Sequence, residues 1–312
     1  MALTFENVTF TGGLTFTSPP PPSYKAIFGF GATGYATGLL SMTNLVSNTG
    51  VVGNDVTGVG TARQWLAAAG YGTDKAIFGF GFYDSYWGCT SNTNLVSNTG
   101  VVATDTTTVG QPRCALAACG YGTDKAIFGF GSRNGGYLTR TLNKVSNTGV
   151  IASDQDQSQV PRFRLAACRY GTDKGIFGYG STSQDVTSIT NLISNTGVVA
   201  DDVTSAGPAR SFLAAAGYGT DKGIFGQPGS YINLVSNTGV VASSTTAVGT
   251  NRTQLAAAGY GVDTAIFGYG WQQTGTGLSV TNKVSNTGIV ATDTAGVGTA
   301  RNGLAAASYG LA

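Results

Sequence analysis

The sequence predicts an all-β fold made from one antiparallel unit used six times. Three observations carry that reading. The string L-A-A-A-G-Y-G-T-D-K-A-I-F-G-F-G at 66–81 recurs at 116–131, 165–180 and 255–270, with partial copies at 213–226, 24–31 and 304–310. The string S-N-T-G begins at Ser47, Ser97, Ser146, Ser194, Ser236 and Ser285. Finally, 48 glycines punctuate short β-branched and aromatic runs while only 10% of the residues are charged, which suits strands and tight turns and not a solvated disordered chain. Units of about fifty residues with four short strands apiece are the blades of a β-propeller, so the expected fold is a six-bladed propeller of four-stranded antiparallel blades.

The second copy shows the elements in order. Arg63 to Ala69 is a small-residue strand suited to a crowded place, and Gly70 to Asp74 a turn that draws on glycine and aspartate. Lys75 to Gly81 is the second strand, its glycines leaving room for close backbone approach. A loop of variable sequence follows. Thr93 to Val96 is the third strand, Ser97 to Gly100 a tight turn, and Val101 to Asp105 the fourth strand. The lysine that opens the second strand falls at 25, 75, 125, 174 and 222, with Thr264 in the last slot, and the one short step comes from a trimmed loop over 226–233. Because the chain enters the repeat at a second strand and leaves it after a first strand, its C-terminal strand is expected to close the first blade. The expected blades are 24–61 with 301–308, then 62–111, 112–160, 161–208, 209–250 and 251–299, in one domain over 24–312. Sharing one blade between both chain ends leaves no unpaired blade joint, which manages the edge-strand hazard.

Residues 1–23 stand outside the repeat. Period-two alternation on either side of Gly12-Gly13 reads as a β-hairpin, and Pro19 to Pro22 as a polyproline spacer. A lone hairpin is marginal in water, so this one is expected to pair with the propeller or to anchor the chain to another protein. The segment lacks a basic start and a continuous apolar stretch, so no signal peptide is expected and synthesis in a cytoplasm is. No run is long enough for membrane insertion, and a net charge of +2 is too balanced for a nucleic-acid binder. The four cysteines, Cys89, Cys114, Cys119 and Cys168, lack metal-ligand spacing. Cys119 and Cys168 fill a slot that is alanine in other copies, which reads as small buried residues and no disulfide framework.

Histidine is absent and Glu6 is the only glutamate, which removes the usual imidazole base and any Ser-His-Asp arrangement. No catalytic residue, cofactor or metal site is assigned; Asp154 and Asp156 are too few ligands for Ca²⁺. Asp74, Asp124, Asp173, Asp221 and Asp263 share one turn slot, and Asp55, Asp105, Asp154, Asp202 and Asp293 recur after the fourth strand. Their repetition points to turn formation, or to pairing with the equivalent arginines Arg63, Arg113, Arg162, Arg210, Arg252 and Arg301, which form a structural ring; a ring that reads an anion in the channel is the sharper alternative. The informative signal is difference among copies. The loop between second and third strands changes completely, and alternating strand direction puts all six loops on one face. Tyr35, Phe82, Tyr83, Tyr86, Trp87, Tyr137 and Trp271, with Arg133 and Arg140, are expected to be exposed there as the partner-binding residues, being types that form hot spots or stack on sugars.

The strings A-R-x-x-L-A-A-A and K-A-I-F-G-F-G resemble the first half of a kelch-type propeller repeat, with G-F-G or G-Y-G where kelch has its double glycine. The second half departs from kelch, because S-N-T-G-V-V stands in place of the N-x-W element. The A-A-G strand is also similar to that of chromosome-condensation-regulator propellers. The near-identical Y-G-T-D-K-A-I-F-G-F-G and N-L-V-S-N-T-G-V-V strings, and G-G-L-T-F-T-S-P-P-P-P near the start, resemble repeat and virion structural proteins of tailed bacteriophages. That resemblance implies a non-enzymatic virion component, such as a tail fibre, adhesin or decoration protein. It would join other virion proteins through residues 1–23, in one copy or as a homo-oligomer, and present its variable loops to a host-surface glycan or protein. The alternatives are a glycan-active enzyme that uses aspartates in the channel and a cellular kelch scaffold that binds a peptide.

Overall fold

The computed structural model describes residues 23–311 except 85–87 and 228. The hairpin, anchor and spacer expected over 1–22 therefore lie outside the described residues. Within them the fold is all-β and propeller-like, with six antiparallel sheets of three or four strands and one two-stranded ribbon. There is no α-helix among these residues, only a single 3-10 turn at Asn134–Gly136.

Sheet two shows the common plan, with Ala67–Tyr71, Lys75–Gly79, Asn92–Val96 and Thr106–Thr107 in that spatial order. Sheets three to six repeat it from first strands at Ala117–Tyr121, Ala166–Tyr170, Ala214–Tyr218 and Ala256–Tyr260. Sheet one is made from both ends of the described chain. Ala305–Leu311 pairs antiparallel with Tyr24–Ala32, setting Ile27 opposite Ala307, and Leu39–Val46 lies on the other side.

The fourth strand is thinner than the sequence suggests. Three sheets have only three strands, and where a fourth exists it is two residues long. Over 101–105 the backbone makes one bridge, Val96 to Val102, and the other sheets repeat it at the equivalent pair. The cause lies in the third strand. Its buried asparagine reaches outward, so that Asn94 Nδ2 donates to Ala103 O and to Asp105 Oδ1, both at 2.9 Å. A carboxamide thus replaces a backbone rung, and the outer segment hangs on a side chain. The S-N-T-G turn before it is closed by Gly100 N donating to Ser97 O, and by Ser97 Oγ accepting from Val101 N.

The core lies between sheets. Six apolar clusters each join two successive sheets, and the one containing Ala26, Phe28, Ile266 and Tyr269 joins sheet six to sheet one. The K-x-I-F-G motif makes these joints. A Cβ at Gly79 would stand 2.9 Å from Phe128 Cζ of the next sheet, and each phenylalanine of this slot sits on the preceding sheet's glycine, ending with Phe28 on Gly268. Only glycine leaves room for the neighbouring ring. Burying such a ring is worth about 1.5–3 kcal/mol.

Backbone bonds follow the same circuit. Ala115 N donates to Trp65 O, Arg164 N to Ala115 O, Phe212 N to Arg164 O, Gln254 N to Phe212 O and Gly303 N to Gln254 O. Trp65 N then donates to Gly303 O at 2.6 Å, returning to the start. A second circuit runs through the turns at the other end of the first strands, from Gly72 N to Asp124 O and onward to Gly310 N on Asp74 O.

Candidate functional site

The repeated arginines belong to the frame. Arg63, Arg113, Arg162, Arg252 and Arg301 are at most 1% exposed, Arg210 is 8% exposed, and none of the six lines the axial cavities. Arg63 Nε donates to Phe80 O and Nη1 to Thr61 O, while Nη2 donates to Asn94 Oδ1 and Asp105 lies 3.6 Å away. The guanidinium lies 4.2 Å over the Phe30 ring of the preceding sheet, and Arg113, Arg162, Arg210 and Arg301 stack in the same way, so each of these five rivets two sheets. Burial lowers Arg63, Arg113, Arg162 and Arg252 to about 10 against the opposing pull of their aspartates, which leaves them charged at neutral pH. These pairs match the expected partnering of Asp55, Asp105, Asp154, Asp202 and Asp293. Sheet five departs from it. Ser244 stands in the aspartate slot, Arg210 keeps Asn233 but has no carboxylate partner among the described residues, and Pro208 replaces the residue whose N–H binds that aspartate elsewhere.

The turn-slot aspartates pair locally. Asp74, Asp124 and Asp221 each meet the following lysine at 3.0–3.2 Å, while Asp173 and Asp263 accept from Asn195 and Asn286. Among the described residues no three His, Cys, Asp or Glu side chains are placed to hold a metal ion.

The G-F-G motif delivers the chain into the variable loop. Its aromatic residue is left-handed in five sheets, with φ between 61° and 64°, an uncommon conformation for a bulky side chain, and the following glycine has φ of 97° to 117°. In sheets one and six the resulting bulge lets the ladder resume beyond it.

The nine predicted loop residues part ways. Tyr35 is 49%, Tyr83 44% and Tyr137 74% exposed. Arg140 is exposed too, whereas Arg133 is half-buried and its Nη2 donates to Thr141 Oγ1. Trp271 is half-buried at the end of Thr264–Trp271, bridged to Thr253. Phe82 corrects the expectation of exposure: it is 1% exposed, packed 5.2 Å from Trp65, because Trp65 rolls over the loop root. Tyr86 and Trp87 lie outside the described residues.

Cys89 and Cys114 correct a second expectation. They form a disulfide that ties the sheet-two loop to the start of sheet three, whereas Cys119 and Cys168 are free and buried as read from their slot. Burial pushes the Cys119 thiol up to about 12.

Six residues outside the expected site set lie together on the loop side. Trp65, Ala115, Arg164, Phe212, Gln254 and Gly303 occupy one slot, two residues after each frame arginine, all left-handed with φ of 52° to 62°. The slot was visible as a letter that changes inside an otherwise fixed string. Trp65 Nε1 donates to Gln254 Oε1 at 2.9 Å across Gly303, where a side chain would collide with the indole. Arg164 lies 4.4 Å over Phe163 and 4.3 Å over Phe212. Trp65, Phe82, Cys89, Cys114 and Ala115 form a separate apolar cluster against which Ala36, Leu39, Phe163 and Phe212 pack. Tyr35 stands edge-on to Trp65 at 5.5 Å. The variable loops of sheets one and two are thus fastened to Trp65 and its neighbours.

The chain matches no known protein-family model, and no curated protein sequence matches it.

Proposed function

We propose that this chain is a closed six-bladed propeller acting as a non-enzymatic binding platform of a virion, with the variable-loop face as its contact surface for a host glycan or protein. Support for closure comes from the two backbone circuits, which pass through all six sheets and return to their origin. The observation that carries the binding reading is the divergence between the copies. Frame residues repeat almost without change, while the axial slot reads Trp, Ala, Arg, Phe, Gln, Gly and the neighbouring loops offer Tyr35, Tyr83 and Tyr137. Aromatic rings held by a packed base lose little freedom on binding, which favours affinity. Among the described residues the repeated aspartates are spent on arginines, lysines and turn amides, so the frame accounts for them without substrate chemistry. Residues 1–23 would join the propeller to its neighbours on the particle.

Glycan-array and cell-adsorption measurements on the purified chain test the contact face. Replacing Tyr35, Tyr83 and Tyr137 together by serine should weaken binding at least tenfold, as loss of one or two aromatic hot spots does, with a melting temperature lowered only as far as Tyr35→Ser alone lowers it through the lost contact with Trp65. Undiminished binding would overturn the assignment of this face. Deleting residues 1–23 should leave a folded ring that no longer joins particles; continued incorporation would overturn the anchoring role.

A further inference from the structure

The end of the axis away from the loops carries a different surface. A cavity of about 420 Å³ opens there, within the range of small-ligand sites. Alanines of the first strands, among them Ala118, Ala167, Ala215 and Ala257, form its wall, and Thr73 and Thr220 stand at its rim. It is separate from a hollow of about 70 Å³ on the loop side, which is lined by the leucines that open the first strands and lies beneath the Trp65 to Gln254 bond. The larger cavity, called the cup below, shares no lining residue with that hollow.

One residue breaks the repeat inside this cup. Arg169 stands where the other first strands have Gly70, Gly120, Gly217, Gly259 and Ser308. Its Nη2 donates to Gly122 O at 2.7 Å and to Thr172 O at 2.5 Å, which props the guanidinium across the neighbouring sheet. Nε and Nη1 make no hydrogen bond among the described residues, and no carboxylate lies within ion-pair distance. Asp173 in the adjoining turn acts on Arg169 through charge alone and accepts from Asn195 Nδ2 at 3.1 Å, while Asp221 and Asp263 of the lining face Lys222 and Asn286. Lys75 and Lys222, the other cations of the lining, are each held by an aspartate. Ordering a long arginine and taking it from water is costly at a position where glycine serves in four other copies. A planar fork with donors left over is suited to a carboxylate.

We infer that this cup binds a small organic carboxylate, with Arg169 as the anion-binding group, rim hydroxyls as further partners and the alanine wall against the ligand's apolar body. The site lies at the opposite end of the axis from the proposed contact face and does not depend on it.

The test is thermal melting and calorimetric titration of the full chain with sodium acetate, sodium lactate and sodium glucuronate, each against sodium chloride at equal ionic strength. At least one carboxylate should raise the melting temperature by about 2 °C at tenfold its Kd. Arg169→Gly restores the residue of four other copies and Arg169→Ser that of a fifth, so both variants should fold and lose the shift. Lys125→Ala, which removes an exposed cation outside the cup, should keep it. The inference falls if no carboxylate shifts the parent chain relative to chloride, or if the two Arg169 variants respond as the parent does.

Discussion

Gly175 should tolerate alanine better once Cys119 is itself replaced by alanine. At four of the six joints between sheets, alanine faces alanine: Ala69 with Ala126, Ala307 with Ala76, Ala216 with Ala265 and Ala258 with Ala26. At the other two, Cys119 faces Gly175 and Cys168 faces Gly223. The pairs hold the same number of side-chain atoms, shared differently. A Cβ at Gly175 would lie 2.7 Å from Cys119 Sγ and 3.0 Å from Ile193 Cδ1, about 1 Å inside ordinary contact. Overpacking of that kind costs about 1–3 kcal/mol in a closely packed interior. Cys119→Ala alone removes one heavy atom and costs about 1 kcal/mol through the void it leaves. The double variant restores the alanine pair of the other joints but keeps the 3.0 Å approach to Ile193, where those joints have valine, so it should fall within about 1 kcal/mol of the parent, which makes the coupling about 2 kcal/mol. Equilibrium urea unfolding of the four proteins, followed by tryptophan fluorescence, measures it. A double variant whose loss equals the sum of the two single losses would refute the compensation.

Arg162→Met should cost about 3 kcal/mol because it strands Asn191 and Asp202, whereas Arg210→Met, with no carboxylate to strand, should cost at least about 1 kcal/mol less; urea midpoints compare them. Rebuilding the missing pair with Ser244→Asp and Pro208→Thr should raise stability by about 1 kcal/mol at neutral pH, read in the same assay. Burial pushes the Asp55, Asp105 and Asp293 carboxyls up, but hydrogen bonds from threonine and asparagine and the nearby arginine charge outweigh it and hold all three below the ordinary 3.8. These groups bind fewer protons folded than unfolded, so their contribution is full above about pH 4 and fades as pH falls through the folded values. Melting temperature against pH should show that fall, and it should be shallower in Asp105→Asn.

Much of the frame was legible in the letters. The repeat located the first three strands of each unit and both turns, because glycine, aspartate and the aromatic run act locally. The arginine and aspartate slots could be paired because each recurs at a fixed place in the unit, the aspartate in five of the six copies, and Cys119 and Cys168 placed by the alanines they replace. What escaped depends on distances across the ring. Nothing local says that Asn94 will take over the rungs of the outer strand, or that Cys89 ends beside Cys114. Phe82 looks like a loop residue by position, and only Trp65 folding over it makes it core. Trp65 and Arg164 were overlooked because they sit inside the fixed string, where a changed letter reads as strand and not as surface. Arg169 was in plain view as the one charged letter in that strand, but its meaning needs the cup it faces.

The middle position of Tyr24–Ala32 in sheet one has a mechanical consequence. Flanked by Leu39–Val46 on one side and Ala305–Leu311 on the other, this strand is gripped along both edges just where the chain arrives from its N-terminal segment. Tension along it would load both ladders in shear, all rungs at once, instead of unzipping them singly. A tether leading out at Tyr24 would therefore draw on the whole of sheet one.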